Sequence, residues 1–171
     1  MKKIIVIGCP GAGKSTFARK LRDLSGLPLF YLDRIWHKAD RTTVTREEFD
    51  TALEQILSGD EWIIDGNYIR TIETRLRRCD AVFFLDYPTD VCLEGARSRV
   101  GTVREDMPWV EEELDAEFRQ WIEDFPQEQL PKIYALLEQY KAGKSITIFH
   151  SRAEAEAWFR TTGKFFQQKR V

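Results

Sequence analysis

The eight residues GCPGAGKS, Gly8 to Ser15, follow directly on the apolar run IIVI. Their spacing is G-x-x-x-x-G-K-[ST] in full, and no other stretch restricts the fold as much. To cradle phosphate, such a loop needs a strand ending before it and a helix opening at its lysine. Gly8, Gly11 and Gly13, with Ala12 between the last two, let successive backbone N–H groups turn toward an anion. The positive end of the opening helix adds to that field. Lys14 is placed as a point charge for the β and γ phosphates, Ser15 as a Mg2+ ligand, and Thr16 completes the loop's contacts. ATP and Mg2+ are the cofactors this pattern implies. The competing possibility is a glycine-rich turn without a ligand. Cys9 sits inside the loop as a small side chain whose oxidation would block it.

The rest of the chain supplies the required context. KKIIVIG reads as a buried strand, and Lys14 to Ser25 as a helix with Phe17, Ala18, Leu21 and Leu24 on one face and Gly26 as its stop. LPLFYLD (27–33), WIID (62–65), AVFFLDY (81–87) and SITIF (145–149) read as four further strands. Thr45 and Glu48 have capping-box spacing before a helix carrying Phe49, Leu53, Ile56 and Leu57. Arg70 to Arg78 reads as a short basic helix, and another helix runs to about Val100. Residues 104–124 hold nine acids and two arginines, yet Val110, Leu114, Phe118, Trp121 and Phe125 keep a helical spacing. A helix over about 127–141 follows. Ser151 and Glu154 cap a last one, packed by Trp158 and Phe159, and the tail KFFQQKRV is expected to fray at its end. Trp109, Trp121 and Trp158 are expected in the core. Apolar strands alternating with helices predict a parallel sheet covered on both faces, with ligands beyond the carboxyl ends of its strands.

A length of 171 residues with 43% hydrophobic content suits one domain, 1–171. The 26 basic and 28 acidic side chains leave a net charge of −2, so no global field draws in nucleic acid or an anionic membrane. Cys9, Cys79 and Cys92 form neither a disulfide framework nor a metal pair, which suits a reduced cytoplasmic setting. The apolar run of MKKIIVIGCPG is too short for a secretory core, and no stretch is long enough to span a bilayer.

Two aspartates end apolar strands in the manner of a magnesium-organising carboxylate, Asp65 in WIIDGNY and Asp86 in AVFFLD. Asp65 is preferred, because the glycine after it leaves room for phosphate. Either could instead cap the turn that follows. Arg97, Arg99 and Arg104 lie close together beside Gly101, a plausible hinge. Guanidinium groups can follow charge as it spreads over a transferring phosphoryl group. Beside a phosphate loop, at least one of the three is assigned that role. The alternative is a solvated basic face paired with the acidic run. Arg119, inside the amphipathic stretch, is assigned to structure.

GCPGAGKST, WIIDGNYIRT and DAVFFLDYPTDVCLEGARSR resemble the adenylate-kinase-type P-loop kinases. LDRIWHK, WIIDGNY and REDMPWVEEE together resemble a narrower bacterial group, the DNA topology modulation (FlaR-like) proteins, over nearly the whole chain. The resemblance implies a three-layer α/β/α P-loop NTPase fold, a five-stranded parallel sheet of order 2-3-1-4-5, and a helical lid over about 97–125. It implies that Asp65 organises the metal. It puts Arg70 near the acceptor phosphate, Arg99 and Arg104 at the lid with Arg97 close by, and His150, Ser151 and Arg152 around the adenine.

The chain also departs from that pattern. The family arginine that stacks on adenine falls at Gly95. AMP-using kinases carry T-G-D-x-L-R after strand two, and here the chain reads YLDRIWH. Asp33 at that strand end suits an acceptor hydroxyl better than a phosphate, because a carboxylate repels an anion and can accept a proton. Shikimate- and gluconate-type kinases resemble the chain in this respect. Trp36 and His37 either line that pocket or cover a core edge, and Asn67, Tyr68 and Arg70 complete the acceptor set.

The expected function is therefore ATP·Mg2+-dependent phosphoryl transfer to a small acceptor, a nucleotide or a hydroxylated metabolite, by a cytoplasmic monomer or homodimer. The alternative is a nucleotide-binding regulatory protein or ATPase acting on DNA topology. Charge argues against it, because only the Arg70–Arg78 helix and the short tail are basic.

Overall fold

A computed structural model describes residues 1–167, with side chains as far as Thr162. The end of the KFFQQKRV tail, where fraying was expected, lies outside the described residues. Five strands form one parallel sheet: β1 (Lys3–Gly8), β2 (Leu29–Tyr31), β3 (Trp62–Asp65), β4 (Ala81–Leu85) and β5 (Ser145–Phe149). Their order is β2-β3-β1-β4-β5, as the resemblance implies. Among the described residues eight helices accompany them: α1 (Lys14–Ser25), α2 (Leu32–Trp36), α3 (Arg46–Leu57), α4 (Ile69–Leu76), α5 (Thr89–Arg99), α6 (Ala116–Glu128) and α7 (Leu130–Tyr140) between strands, and α8 (Arg152–Gln167) after the last.

The central strands are buried on both faces, which is why they read as unbroken apolar runs. Successive side chains of a strand point to opposite faces. Phe83 therefore meets Phe17 of α1 and Trp158 of α8, whereas Phe84 meets Tyr134 of α7. That pair of neighbours marks the two helical layers. The register brings Asp65 beside Val6 and Leu85 beside Gly8, so the ends of β3 and β4 flank the phosphate loop. The capping box is present at α3: Thr45 Oγ1 accepts from the Glu48 N–H at 3.1 Å, and the Thr45 N–H donates to Glu48 Oε2 at 2.7 Å.

Several expectations need correction. β2 stops at Tyr31, and Leu32 and Asp33 open α2 instead of extending the strand. The acidic stretch is not helical from 104. α6 starts at Ala116, where the Asp115 carboxylate caps it by accepting from the Phe118 N–H at 2.8 Å. Val110 and Leu114 lie outside the helix whose face they were assigned to. Trp121 is 44% exposed, and Trp109 stands edge-on against His37 at 4.9 Å, so of the three tryptophans only Trp158 packs into the core. Among the described residues, no helix is long and apolar enough to cross a membrane.

Candidate active site

The phosphate loop is seated backbone against backbone on α5. A Cβ on Gly11 would stand 1.9 Å from the Cys92 carbonyl oxygen, and one on Gly95 would stand 2.0 Å from the Gly11 oxygen. Only glycine fits at either point. Gly11 also has φ 82, in the left-handed region that L side chains avoid. Lys14 Nζ donates to the Cys9 carbonyl at 3.1 Å, so its charge lies folded across the loop. Cys9 is buried, and a hydrogen bond with Cys92, then burial, hold its thiol far above the ordinary range. It is the small inert side chain expected.

The two aspartates make different contacts. Ser15 Oγ donates to Asp65 Oδ2 at 2.6 Å. Asp86 instead accepts from the Tyr134 hydroxyl at 2.5 Å and lies 3.5 Å from His150 Nδ1. Asp65 is 4% exposed, and its Oδ1 has no hydrogen-bond partner. Burial pushes its pKa up to about 7, against the opposing pull of Lys14 and the Ser15 hydroxyl. A buried carboxylate oxygen left unpaired beside a hydroxyl suits a hard cation that takes oxygen ligands. Among the described residues no three acidic, histidine or cysteine side chains converge on a metal. Ser15 and Asp65 therefore fit magnesium of the kind completed by water and substrate phosphates.

A cavity of about 890 Å3 extends from this loop across the carboxyl ends of the strands. It is lined by every site residue expected from the sequence except Gly8, Arg97, Ser151 and His150. Gly8 lies against Leu85 of β4, where its missing Cβ allows the close approach. Arg97 is exposed, on the side of α5 turned away from the cavity lining. Ser151 is used as a cap, its Oγ accepting from the Glu154 N–H at 3.2 Å. Arg152 does line the cavity. Its Nη2 stands 3.1 Å from where a Cβ of Gly95 would be, so this guanidinium fills the space a side chain at 95 would take.

At the far end Asp33 Oδ1 accepts from the Tyr68 hydroxyl at 2.8 Å. Tyr68 has φ 34, an uncommon conformation for a non-glycine residue, held from behind by Arg75. Arg75 is fully buried and donates to the carbonyl oxygens of Gly66 (2.7 Å), Asn67 (2.5 Å), Tyr68 (3.2 Å) and Thr71 (3.3 Å). The reading of this stretch as a short basic helix did not single it out. The signal was present, since Arg75 falls with Ile72 and Leu76 on the buried face. Arg70 lines the cavity, but its fork is closed on Asp50 at 2.9 and 2.6 Å. His37 is half-buried, and burial lowers its pKa, which leaves the ring neutral at pH 7. Phe49 and Tyr68 stack at 5.2 Å, and Trp36 meets both edge-on at 5.7 and 6.4 Å.

Arg99 and Arg104 face the cavity from the end of α5 and the segment after it. Arg104 lies 3.6 Å from Asp106 and 3.5 Å from Glu111, and Arg99 lies 3.9 Å from Glu111. These are ion-pair distances without hydrogen bonds, and Arg99 Nε and Arg104 Nη1 are buried unpaired. Burial, then the neighbouring charge of Arg104, lowers the Arg99 pKa. Arg19 of α1 also reaches Asp106, at 3.6 Å. Arg19, Asp106 and Glu111 went unrecognised in the sequence, because an acidic run reads as a solvated face until the chain is folded.

No family model matches the chain. Adenylate kinases of Thermotoga petrophila and Thermotoga maritima are each 29% identical to it over 94 residues, 53% of this chain and 42% of theirs. The match thus spans less than half the length of those relatives. A shikimate kinase from Acinetobacter baumannii, solved with shikimate, superposes with a TM-score of 0.61 at 17% identity, covering 100% of this chain and 96% of its own. An unliganded sugar kinase from Janibacter gives 0.55 at 21% identity, covering 98% and 95%. A shikimate kinase from Bacteroides thetaiotaomicron gives 0.54 at 19% identity, covering 96% and 97%. The fold is that of the P-loop kinases.

Proposed function

We propose that this chain is a cytoplasmic ATP·Mg2+-dependent phosphotransferase acting on a small-molecule acceptor. The observation that carries the reading is the Ser15–Asp65 contact, with Asp65 Oδ1 unpaired, in the same cavity as Asp33, Arg99 and Arg104. Binding a nucleotide would need only the loop. An acceptor-side carboxylate and two half-paired guanidinium groups facing the loop suit transfer.

Ser15 and Asp65 would hold magnesium, which would supply positive charge against the phosphates. Lys14 would exchange the Cys9 carbonyl for the phosphates. Arg99 and Arg104 would trade their loose contacts with Asp106 and Glu111 for the equatorial oxygens of the group in flight. Asp33, oriented by Tyr68, takes the acceptor hydroxyl proton as the acceptor oxygen bonds to the γ-phosphorus and the bridging oxygen leaves with ADP. The segment from Gly101 to α6 would act as a lid that excludes water.

Membership of the DNA topology modulation group is part of this proposal and rests on the motifs alone. Action on DNA is not part of it. In α4 and the two residues after it, Arg70 pairs with Asp50, Arg77 with Glu73 and Arg78 with Glu54, and Arg75 is buried. That helix offers no row of free cations to a phosphate backbone. The test is ADP production from ATP·Mg2+ across nucleoside monophosphates, nucleosides and hydroxylated metabolites, with Lys14→Ala as blank. Stimulation by an acceptor class, absent in the variant, is expected. ATP binding with no stimulation by any class would defeat the proposal.

A further inference from the structure

The cavity leaves different kinds of polar atom unpaired on its two sides. Toward the segment after α5 the unpaired buried atoms are donors, Arg99 Nε and Arg104 Nη1. At the end of β3 and the α6–α7 junction they are acceptors, Asp65 Oδ1, Asn67 Oδ1 and Gln129 Oε1, and His37 Nδ1 after α2 is unpaired as well. All six residues line the one cavity. A buried polar atom without a partner is destabilising, so a ligand that completes the site must bring acceptors to the first side and donors to the second. Phosphates answer the guanidinium groups, and magnesium answers Asp65. Asn67 and Gln129 remain, with Asp33, whose second oxygen takes no hydrogen bond from the described residues.

The same end is poorly equipped for an anion. Arg70, the cation beside Asn67 and Tyr68 in the chain, is closed as a fork on Asp50. Arg46, at the start of α3, lines the cavity from an exposed position. His37 is neutral, and the Asp33 carboxylate faces the cavity without a cationic partner at ion-pair distance among the described residues, whereas Glu111 is spoken for by Arg99 and Arg104. A carboxylate set against an anionic ligand disfavours its binding. The Trp36, Phe49 and Tyr68 rings present an apolar wall.

We infer that the acceptor is an uncharged ring compound bearing several hydroxyls, and that its phosphorylated or carboxylated counterparts are rejected. This rests on the kinase reading for its chemistry, but the ligand class is tested by binding alone. Calorimetric titration of the full chain, with Mg2+ and a non-hydrolysable ATP analogue saturating, would compare uridine with its 5′-monophosphate, glucose with glucuronate, and myo-inositol with its monophosphate. The uncharged member of at least one pair is expected to bind about tenfold tighter or better. A smaller ratio in all pairs, preference for the anion, or no binding by any compound at millimolar concentration overturns the inference. Asp50→Asn frees Arg70 and should shift the affinity ratio toward the anion by about fivefold. An unchanged ratio overturns the part assigned to that pair. ADP production separates the two readings. An uncharged compound that binds without ADP release defeats the kinase proposal and leaves this one standing. ADP release preferring the anion does the reverse.

Discussion

Two left-handed glycines stand in contrasting surroundings, Gly11 in the phosphate loop and Gly101 in the segment after α5. Gly11, φ 82, is pressed against the α5 backbone so closely that a Cβ would overlap the Cys92 carbonyl. Gly101, φ 74, has nothing within 4 Å of where its Cβ would stand. The first sits in a loop held by backbone packing. The second sits in a segment tied down by the Gly101 N–H on the Glu111 carbonyl at 2.8 Å and by Arg22, Arg34 and Arg41 on Glu105 and Glu112, while Arg99 and Arg104 keep only ion pairs of 3.5 to 3.9 Å. The nucleotide end is thus rigid before any ligand arrives. In the segment that carries Arg104, the contacts of Arg99 and Arg104 are the ones that phosphate could replace. A rigid cradle and an exchangeable cover are what phosphoryl transfer requires, because positioning and water exclusion supply most of its rate.

The largest effect expected on this contrast is that of Lys14→Ala. Turnover with the best acceptor should fall by three orders of magnitude or more, roughly the scale of one lost phosphate-stabilising charge. Its melting temperature should stay near that of the parent, because Lys14 only crosses its own loop. Next is Asp65→Asn, read in the ligand-free protein. Burial raises the folded-state pKa of Asp65 to about 7, above its ordinary 3.8. Between these values the folded chain binds more protons than the unfolded one, so this group's contribution to stability falls as pH rises from 4 through 7. Asn removes that loss. The variant should be more stable above pH 7, by up to about 4 kcal/mol at 1.4 kcal/mol per pKa unit, and should converge with the parent near pH 4. Denaturant midpoints across pH measure it, and parallel curves would show that burial at the metal end is not destabilising. The glycine pair itself comes third. Gly11→Ala combines a backbone clash with positive φ and should destabilise by about 3 kcal/mol or more. Gly101→Ala adds only the conformational penalty, about 1 kcal/mol. Equal losses would remove the distinction between rigid cradle and loose cover.

That same distinction explains what could be read from the sequence. The phosphate loop is built from consecutive residues between a strand and a helix, so its spacing carries its geometry. The sheet order was implied by resemblance, and the strands announced themselves as apolar runs. The acceptor end is assembled from partners distant in the chain. Tyr68 reaches Asp33, Arg70 reaches Asp50, and Gln129 is brought to the same cavity by the α6–α7 junction. No local pattern encodes those meetings. The resemblance put Arg70 near an acceptor phosphate, and nothing in the sequence shows that Asp50 holds its fork. The irregular stretch before α6 was misread for a related reason. Val110 and Leu114 keep helical spacing, but the Asp115 cap starts the helix after them.

The finest discrimination lies within the arginine cluster, where sequence proximity and spatial placement disagree. Arg97 and Arg99 are two residues apart on α5, so they point to different sides of the helix. Arg99 lines the cavity and Arg97 does not. Arg104 lines it from beyond the helix, within ion-pair reach of both Asp106 and Glu111. Arg104→Ala should lower kcat by about a hundredfold with a smaller change in KM, because its contact with the transferring group strengthens only in the transition state. Arg97→Ala should leave both constants within about twofold, the ordinary result of a surface substitution. Steady-state kinetics on the two variants under one set of conditions decides the matter. If Arg97→Ala proves as damaging as Arg104→Ala, the segment after α5 closes in a way that brings Arg97 inward, and the cover moves farther than the exchange of two ion pairs requires.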